Sequence, residues 1–435
     1  MNYLEKIREA FGCADIDVDE RVKNVNIHLS VAPSSLPNEA GLRGLISLFP
    51  EQDSVRAFLN DDSGSVYTIT SNAPFDEETY VAFKSSLFAD VPVSITFEIT
   101  KGFKDGYLSV YCFEKFVNDI LSLSICDVLT AFADLYEEQQ HIYFKVYDRE
   151  IFFKTGTMVF DSGTHSIKWT VLDRKNRLDK CREISCFYNQ SQYPLLPDDF
   201  AVDVGSEKCK LNDLFSNICT NLSLAYLATT SSISENELRI QITGQRILDD
   251  VIPLRLQESN EEMYKIYSWV FVDGNPIDKI LLARNTVSTH CRFTKITRLD
   301  GKTLASIQAN YNLYLKKDVE QYIALTNVVA EHIQTSVNNI AECIDKLQNG
   351  IKGNLIAVLG FLLSTVLTSG ISGRTLDDIF TKDIIAIMYF VLLGSLIYCA
   401  VTVSEIIAKQ KRILRQYDEI LKHYEKILSK EGICE

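Results

Sequence analysis

Toward the C-terminus, apolar positions recur in unbroken steps of four and three. Val319, Ile323, Thr326, Ala330, Ile333, Val337, Ile340, Ile344, Leu347 and Ile351 form ten consecutive seam positions. That alternation averages 3.5 residues, the signature of a heptad seam rather than the broader face of an ordinary surface helix. It predicts one long stalk helix over 303–352. Gly350 and Gly353 flank Lys352 and predict a flexible joint at its end. A second segment, 405–435, repeats isoleucine every seven residues at Ile406, Ile413, Ile420 and Ile427, with Tyr417 and Tyr424 between. The simplest arrangement pairs 326–351 with 405–430 as antiparallel helices. Parallel association of the same seam between copies, a homo-oligomer, is the other arrangement.

Between these segments lie two stretches without a charged side chain, 353–373 and 384–404, each of 21 residues. At ~1.5 Å rise per residue each reaches about 30 Å, the thickness of a bilayer's hydrocarbon core. They predict two transmembrane helices, with the lipid bilayer as partner. The polar connection 374–383 is short enough to make them an antiparallel hairpin. Lys346, Lys352, Lys409, Lys411, Arg412, Arg415 and Lys422 flank the spans, against Arg374 and Lys382 in the loop. Seven against two predicts a multi-pass protein of the inner or plasma membrane with both termini cytoplasmic. Ala357, Gly360, Ser364 and Thr368 form a small-residue stripe in the first span. Ser395, Cys399 and Thr402, with Gly394 beside them, do so in the second. Such stripes let helices approach closely, either within the hairpin or around an oligomeric pore lined by Ser364 and Thr368. Neither span holds an ionisable side chain, which disfavours proton- or ion-coupled carriers.

The first three hundred residues change period. Alternation of two predicts strands at 25–31, 66–70, 93–100, 107–112, 142–147, 157–160, 167–172, 238–243 and 264–272. Helical spacing predicts helices at 113–138, 212–229 and 276–288. Strands and helices do not alternate regularly. The fold class expected is therefore an α+β cytoplasmic domain over 1–302, followed by the coiled-coil stalk and the C-terminal two-helix transmembrane hairpin. The proline-containing stretch 189–206 is the expected internal boundary.

Charge sharpens this picture. Residues 1–150 carry 12 Lys and Arg against 25 Asp and Glu, so nearly the whole net charge of −14 sits in the first third. An acidic surface repels phosphate and argues against nucleic acid as a partner. The eleven cysteines include no CxxC pair, which favours free thiols in a reducing compartment over a disulfide framework or a zinc site. The N-terminal segment lacks the apolar run of a secretory signal, and neither a myristoylation nor a prenylation signal is expected. Phosphate-loop, dinucleotide, zincin and nucleophile-elbow motifs are absent. No catalytic residue, cofactor or metal ligand is assigned.

One string carries a resemblance. Met158-Val159-Phe160-Asp161-Ser162-Gly163-Thr164 resembles the apolar-apolar-Asp-Ser-Gly-Thr turn of retroviral-type aspartic proteases. Ile280-Leu281-Leu282-Ala283-Arg284-Asn285 is faintly similar to that family's second segment. The resemblance implies two aspartates from two subunits sharing a proton. His165 and Ala283 depart from the family pattern. A β-turn joining 157–160 to 167–172 accounts for the same residues and is the expectation retained. Basic residues between Arg174 and Arg182 are interrupted by Asp179 and suit a solvated hairpin tip. The expected function is a sensor or interaction module coupled through the stalk to the hairpin. An oligomeric membrane-permeabilising effector of the defence or toxin type is the alternative, and a membrane-tethered hydrolase is the third.

Overall fold

The computed structural model describes residues 2–428, apart from 62, 63, 65, 138, 170, 171, 204, 256–258, 273, 293 and 372–380 and the side chains of 318, 369, 370 and 420–428. It divides into two units, 1–312 and 313–435. The chain opens with α1 (Tyr3–Phe11), β1 (Asp17–Glu20), β2 (Asn24–Val31), α2 (Glu39–Ser47), β3 (Ser54–Asp61), β4 (Val66–Thr70), α3 (Glu77–Ser86) and β5 (Val93–Thr100). The strands pair in the order β1-β2-β5-β3-β4, every pair antiparallel. Alternation explains this sheet. Val25, Ile27, Leu29 and Val31 turn inward from β2, whereas Asn24 and His28 face solvent. The inward face forms one core with Ile7, Leu42, Tyr80 and their neighbours on the three helices.

A second core follows. It contains β6 (Tyr107–Val110), α4 (Phe113–Ser122), α5 (Ile125–Leu135), β7 (Ile142–Val146), β8 (Phe152–Lys154), β9 (Met158–Asp161), α6 (Arg174–Ile184), β10 (Cys186–Phe187), α7 (Pro197–Phe200), α8 (Leu211–Leu227), β11 (Thr230–Ser234), β12 (Glu237–Thr243), β13 (Ile247–Pro253), α9 (Glu261–Phe271) and α10 (Pro276–His290). Here β6, β7 and β9 run parallel, with β8 antiparallel on the outer edge. Every residue of β9 is buried, as expected of a strand covered on both faces. Strands β10 to β13 make a third sheet in sequence order.

Several expectations need correction. Residues 264–272 are not a strand but most of α9: Met263, Ile266, Tyr267 and Val270 are buried at helical spacing, and Asn260 caps the Glu262 N–H. Aromatic residues at alternate positions imitated period two, whereas the cap at Asn260 marked the helix start. The helix expected at 113–138 is two, because Ser124 accepts the Asp127 N–H and begins α5. The described part of 167–172 is not a strand, and 170 and 171 lie outside the described residues. The 189–206 stretch does not separate the cores. Tyr193, Leu195, Leu196 and Phe200 are buried inside the second one, and the change of core falls near residues 101–113.

The two cores are pinned together by buried charge. Glu20 accepts from Lys101 Nζ at 2.5 Å and from the Tyr111 and Cys112 N–H groups. Asp53 accepts from Tyr111 Oη and from the Gly102 N–H. Gly102 is required there, since a Cβ would overlap the Gln52 carbonyl.

The remaining elements are α11 (Lys302–Ile371), one continuous helix of 70 residues, and α12 (Lys382–Leu428). Each contains a stretch long and apolar enough to cross a membrane. The joint expected at Gly350 and Gly353 is helical. The expected loop 374–383 lies outside the described residues up to 380.

Candidate functional sites

In the second unit, α11 and α12 run antiparallel along a shared face. Lys409 Nζ lies 3.8 Å from Glu342 Oε2, Gly350 lies against Thr402, and Asn354 Nδ2 donates to the Ser395 carbonyl at 2.9 Å. A Cβ on Gly350 would come within 3.2 Å of Thr402 Cγ2. Close packing, rather than flexibility, accounts for that glycine. Cys343 and Ile413 are buried, and Val358, Phe361 and Thr365 are half-buried. The shared face of α11 steps by three and four from Cys343 to Thr365. A bond donated by Lys346, that lysine's charge and the Lys409 charge hold the Glu342 carboxyl below its ordinary range.

The predicted small residues divide between two faces. Ser395, Cys399 and Thr402 are half-buried on the shared side of α12. Ala357, Gly360, Ser364 and Thr368 are exposed, one helical step away from the contact. Gly360 and Gly394 have open space where a side chain would stand. Thr368 Oγ1 donates to the Ser364 carbonyl of its own helix. Asn354, Val358, Phe361 and Thr365 make the contact instead. Their regular spacing was available in the sequence, but their mixed size and polarity hid it from a search for small residues.

The stalk seam divides as well. Ile340 and Leu347 are half-buried, Ile413 is buried, and Ile333, Val337 and Ile344 are exposed. The side chains of Ile420 and Ile427 lie outside the described residues. The described contacts between α11 and α12 run through a face beside the seam.

In the first unit, Asp161 ends β9 at the carboxyl edge of the parallel strands, the edge where such sheets often hold ligands. Its buried carboxylate accepts from Tyr143 Oη at 2.9 Å and the Gly163 N–H at 2.6 Å, and meets His165 Nδ1 at 2.8 Å. Burial alone would raise its pKa, but the bonds from His165, Tyr143 and Gly163 together bring it below the ordinary value. Gly163 has φ +93, and a Cβ there would overlap Lys145 Nζ. Thr164 Oγ1 lies on the Nδ1 side of His165, 3.0 Å away. The group therefore orients an imidazole and closes a turn. The hairpin expected after Phe160 does not form among the described residues. The Arg284 segment that resembled a protease element belongs to α10, where Arg284 donates to the Leu227 and Ala228 carbonyls at the end of α8 and to the Ile184 carbonyl at the end of α6. Burial without a carboxylate lowers its pKa to about 10.

Two other buried carboxylates, Asp199 and Asp198, are held by neighbouring side chains. Arg174 donates through Nε and Nη2 to Asp199, which also accepts from Thr157 Oγ1 and the Leu196 N–H. The expected basic hairpin tip is instead α6, whose first residue supplies this bond. Asp198 accepts from Tyr264 and Tyr267. Burial pushes the Cys181 thiol up to about 12 and Cys291 to about 11, so neither is a ready nucleophile. Among the described residues, no group of three or more His, Cys, Asp or Glu side chains is placed to hold a metal ion.

Two shallow grooves meet at the 71%-exposed Tyr188. One, of about 360 Å³, crosses β11–β13 beside Arg239, Gln241 and Asp249; the other, of about 450 Å³, follows Arg182 to Ser191. Comparison with protein-family models, with curated proteins and with solved structures finds no match.

Proposed function

We propose that the protein is a two-pass membrane protein whose N-terminal α+β unit is a cytoplasmic binding module, coupled to a transmembrane hairpin through a helical stalk. The observation that carries this reading is the continuity of α11. The helix begins within the first unit and runs without a break into an uncharged stretch paired with α12 by the Asn354–Ser395 hydrogen bond. A polar side chain bonded between two apolar helices suits a low-dielectric surrounding, where an unpaired amide is costly. The basic residues flanking both apolar stretches support cytoplasmic termini. The open grooves around Tyr188, with mixed polar and apolar lining, are the surfaces best suited to a protein or ligand.

The test is extraction and topology. The full chain should stay with membranes through alkaline carbonate and require detergent for release. A cysteine introduced at Thr375 should label from outside sealed cells, whereas one at Asn2 should label only after permeabilisation. Release without detergent, or labelling of both sites from one side, would overturn the reading.

A second reading, an oligomeric membrane-permeabilising effector, is favoured by one observation. Ala357, Gly360, Ser364 and Thr368 are exposed beside the hairpin contact, which leaves a small and weakly polar stripe for neighbouring hairpins. Reconstituted protein that leaks dye from vesicles, with leakage lost in Ser364→Leu and Thr368→Leu, would support it. Intact vesicles at high protein density would remove it.

A further inference from the structure

We propose that the stalk assembles three or more copies of this chain in parallel through the part of the heptad seam that the hairpin contact leaves uncovered. The inference deepens the proposed membrane reading and rests on it. The seam residues Val319, Ile323, Val337 and Ile344 are 57%, 52%, 53% and 53% exposed, and Ile333 and Ile351 are 42% and 46% exposed. Helix α12 occupies the adjacent face, where Cys343 and Gly350 lie. The seam therefore continues an interface already formed, on the flank that α12 does not reach.

Its occupant must be another helix with the same 3.5-residue repeat along the uncovered positions, because each side chain needs a matching hole opposite. A second copy satisfies that requirement by identity. Copies anchored by the same hairpin share one plane and one direction, so their seams meet parallel and in register, with Val337 beside Val337.

Charge points the same way. In a parallel coiled coil, the residues flanking the seam decide which partners are accepted. On the side open to solvent these are Glu320, Asn327, Gln334, Ala341 and Gln348; on the other, Cys343 and Gly350 face α12. A single charge, Glu320, stands among the five on the open side. Self-association meets no ladder of like charges, and a charged foreign helix finds no complementary row. The seam residues also set the order. The row Ile323, Ala330, Val337, Ile344 and Ile351 alternates with the row Val319, Thr326, Ile333, Ile340 and Leu347, so β-branched side chains fill four of the five places in each row. Isoleucine at both positions shifts preference from two strands toward trimers and tetramers, whereas a two-stranded coil favours leucine at the second.

The experiment uses the full chain in nanodiscs of phosphatidylethanolamine and phosphatidylglycerol, with mass read by mass photometry and insertion confirmed by carbonate resistance of the source membranes. The wild type should give a mass of three or more copies. Val337→Lys and Ile344→Lys, both at exposed positions, should shift it at least threefold toward single copies while insertion persists. Thr335→Lys, on the opposite face, should leave it unchanged. Single cysteines at Ile323 and at Ile344, each in a cysteine-free background, should both self-crosslink under oxidation, which only a parallel arrangement permits. A cysteine at Thr335 should not. An inserted wild type of one or two copies, or crosslinking at Thr335 equal to that at Ile344, overturns the proposal and leaves the membrane reading standing. A chain washed off by carbonate overturns both.

Discussion

The two units use apolar side chains in opposite ways. In the first, Phe97, Phe144 and Phe160 are fully buried, and Phe144 stacks on Phe160 with ring centroids 4.1 Å apart. In the second, Phe390, Leu396 and Leu363 are 76%, 68% and 61% exposed, and among the described residues from 313 on only Cys343 and Ile413 are buried. Composition alone would assign both to protein interiors. The difference teaches that the apolar helices of the second unit are not completed by the described residues of this chain, a gap that the proposed membrane reading fills with lipid and with other helices.

The comparison breaks most easily at the buried charges. Asp199→Ala leaves Arg174 buried without its carboxylate and should cost about 3–5 kcal/mol, the usual penalty for halving a buried pair. Both tryptophans, Trp169 and Trp269, belong to the first unit, so intrinsic fluorescence during urea unfolding of the detergent-solubilised chain reads that unit. A loss of under about 1 kcal/mol would contradict the assignment. Phe144→Ala should cost about 3–5 kcal/mol in the same measurement through its cavity. Phe390→Ala, its counterpart in the second unit, should leave that unfolding curve in place and weaken span insertion by only a few tenths of a kcal/mol.

Smaller effects test the hairpin. Asn354→Leu removes the hydrogen bond to Ser395 while preserving bulk, and should weaken α11–α12 pairing by roughly 0.6–1.7 kcal/mol. Fluorescence transfer between labels at positions 346 and 409 would report it, and unchanged transfer under mild destabilisation would show that the bond contributes nothing.

Acid gives a further contrast. Asp161 has a pKa below its unfolded value, so the unfolded chain binds more protons across that interval. Its stabilising contribution is present above the unfolded pKa and disappears as pH falls through the folded one. Asp161→Asn should flatten the acid limb of the fluorescence transition, whereas an unaltered limb would show that the His165 and Tyr143 bonds do not bias ionisation. Smallest of all, Glu342→Gln breaks an exposed pair and should not move hairpin pairing measurably at physiological salt.

Legibility followed the same division. Long uniform periods are readable: both apolar stretches, the long helices that carry them, and strands β2, β5 and β12, where alternation is strict. The helix α9 imitates a strand because Tyr267, Trp269 and Phe271 also satisfy period two, and apolar residues on both sides blur the face that would separate the periods. β3 was missed although Val55, Ala57 and Leu59 alternate, since Arg56 and the small Ala57 weaken the signal. The engagement of Asp161 with His165, and of Arg174 with Asp199, depends on chain crossings that local spacing does not encode. In the first apolar stretch, spacing identifies the periodicity but not which of two adjacent faces meets α12, because Asn354 and Phe361 belong to no single size class.

The unbroken length of α11 has a mechanical consequence. At ~100° per residue, adding one residue between Leu313 and Val337 would turn everything downstream by more than a quarter revolution, whereas adding seven would restore the original azimuth to within about 20°. Within the second unit, the helix is unbroken from Leu313 to Ile371 and so carries a single angular phase along that length. Evolution can lengthen such a shaft by whole heptads far more freely than by single residues.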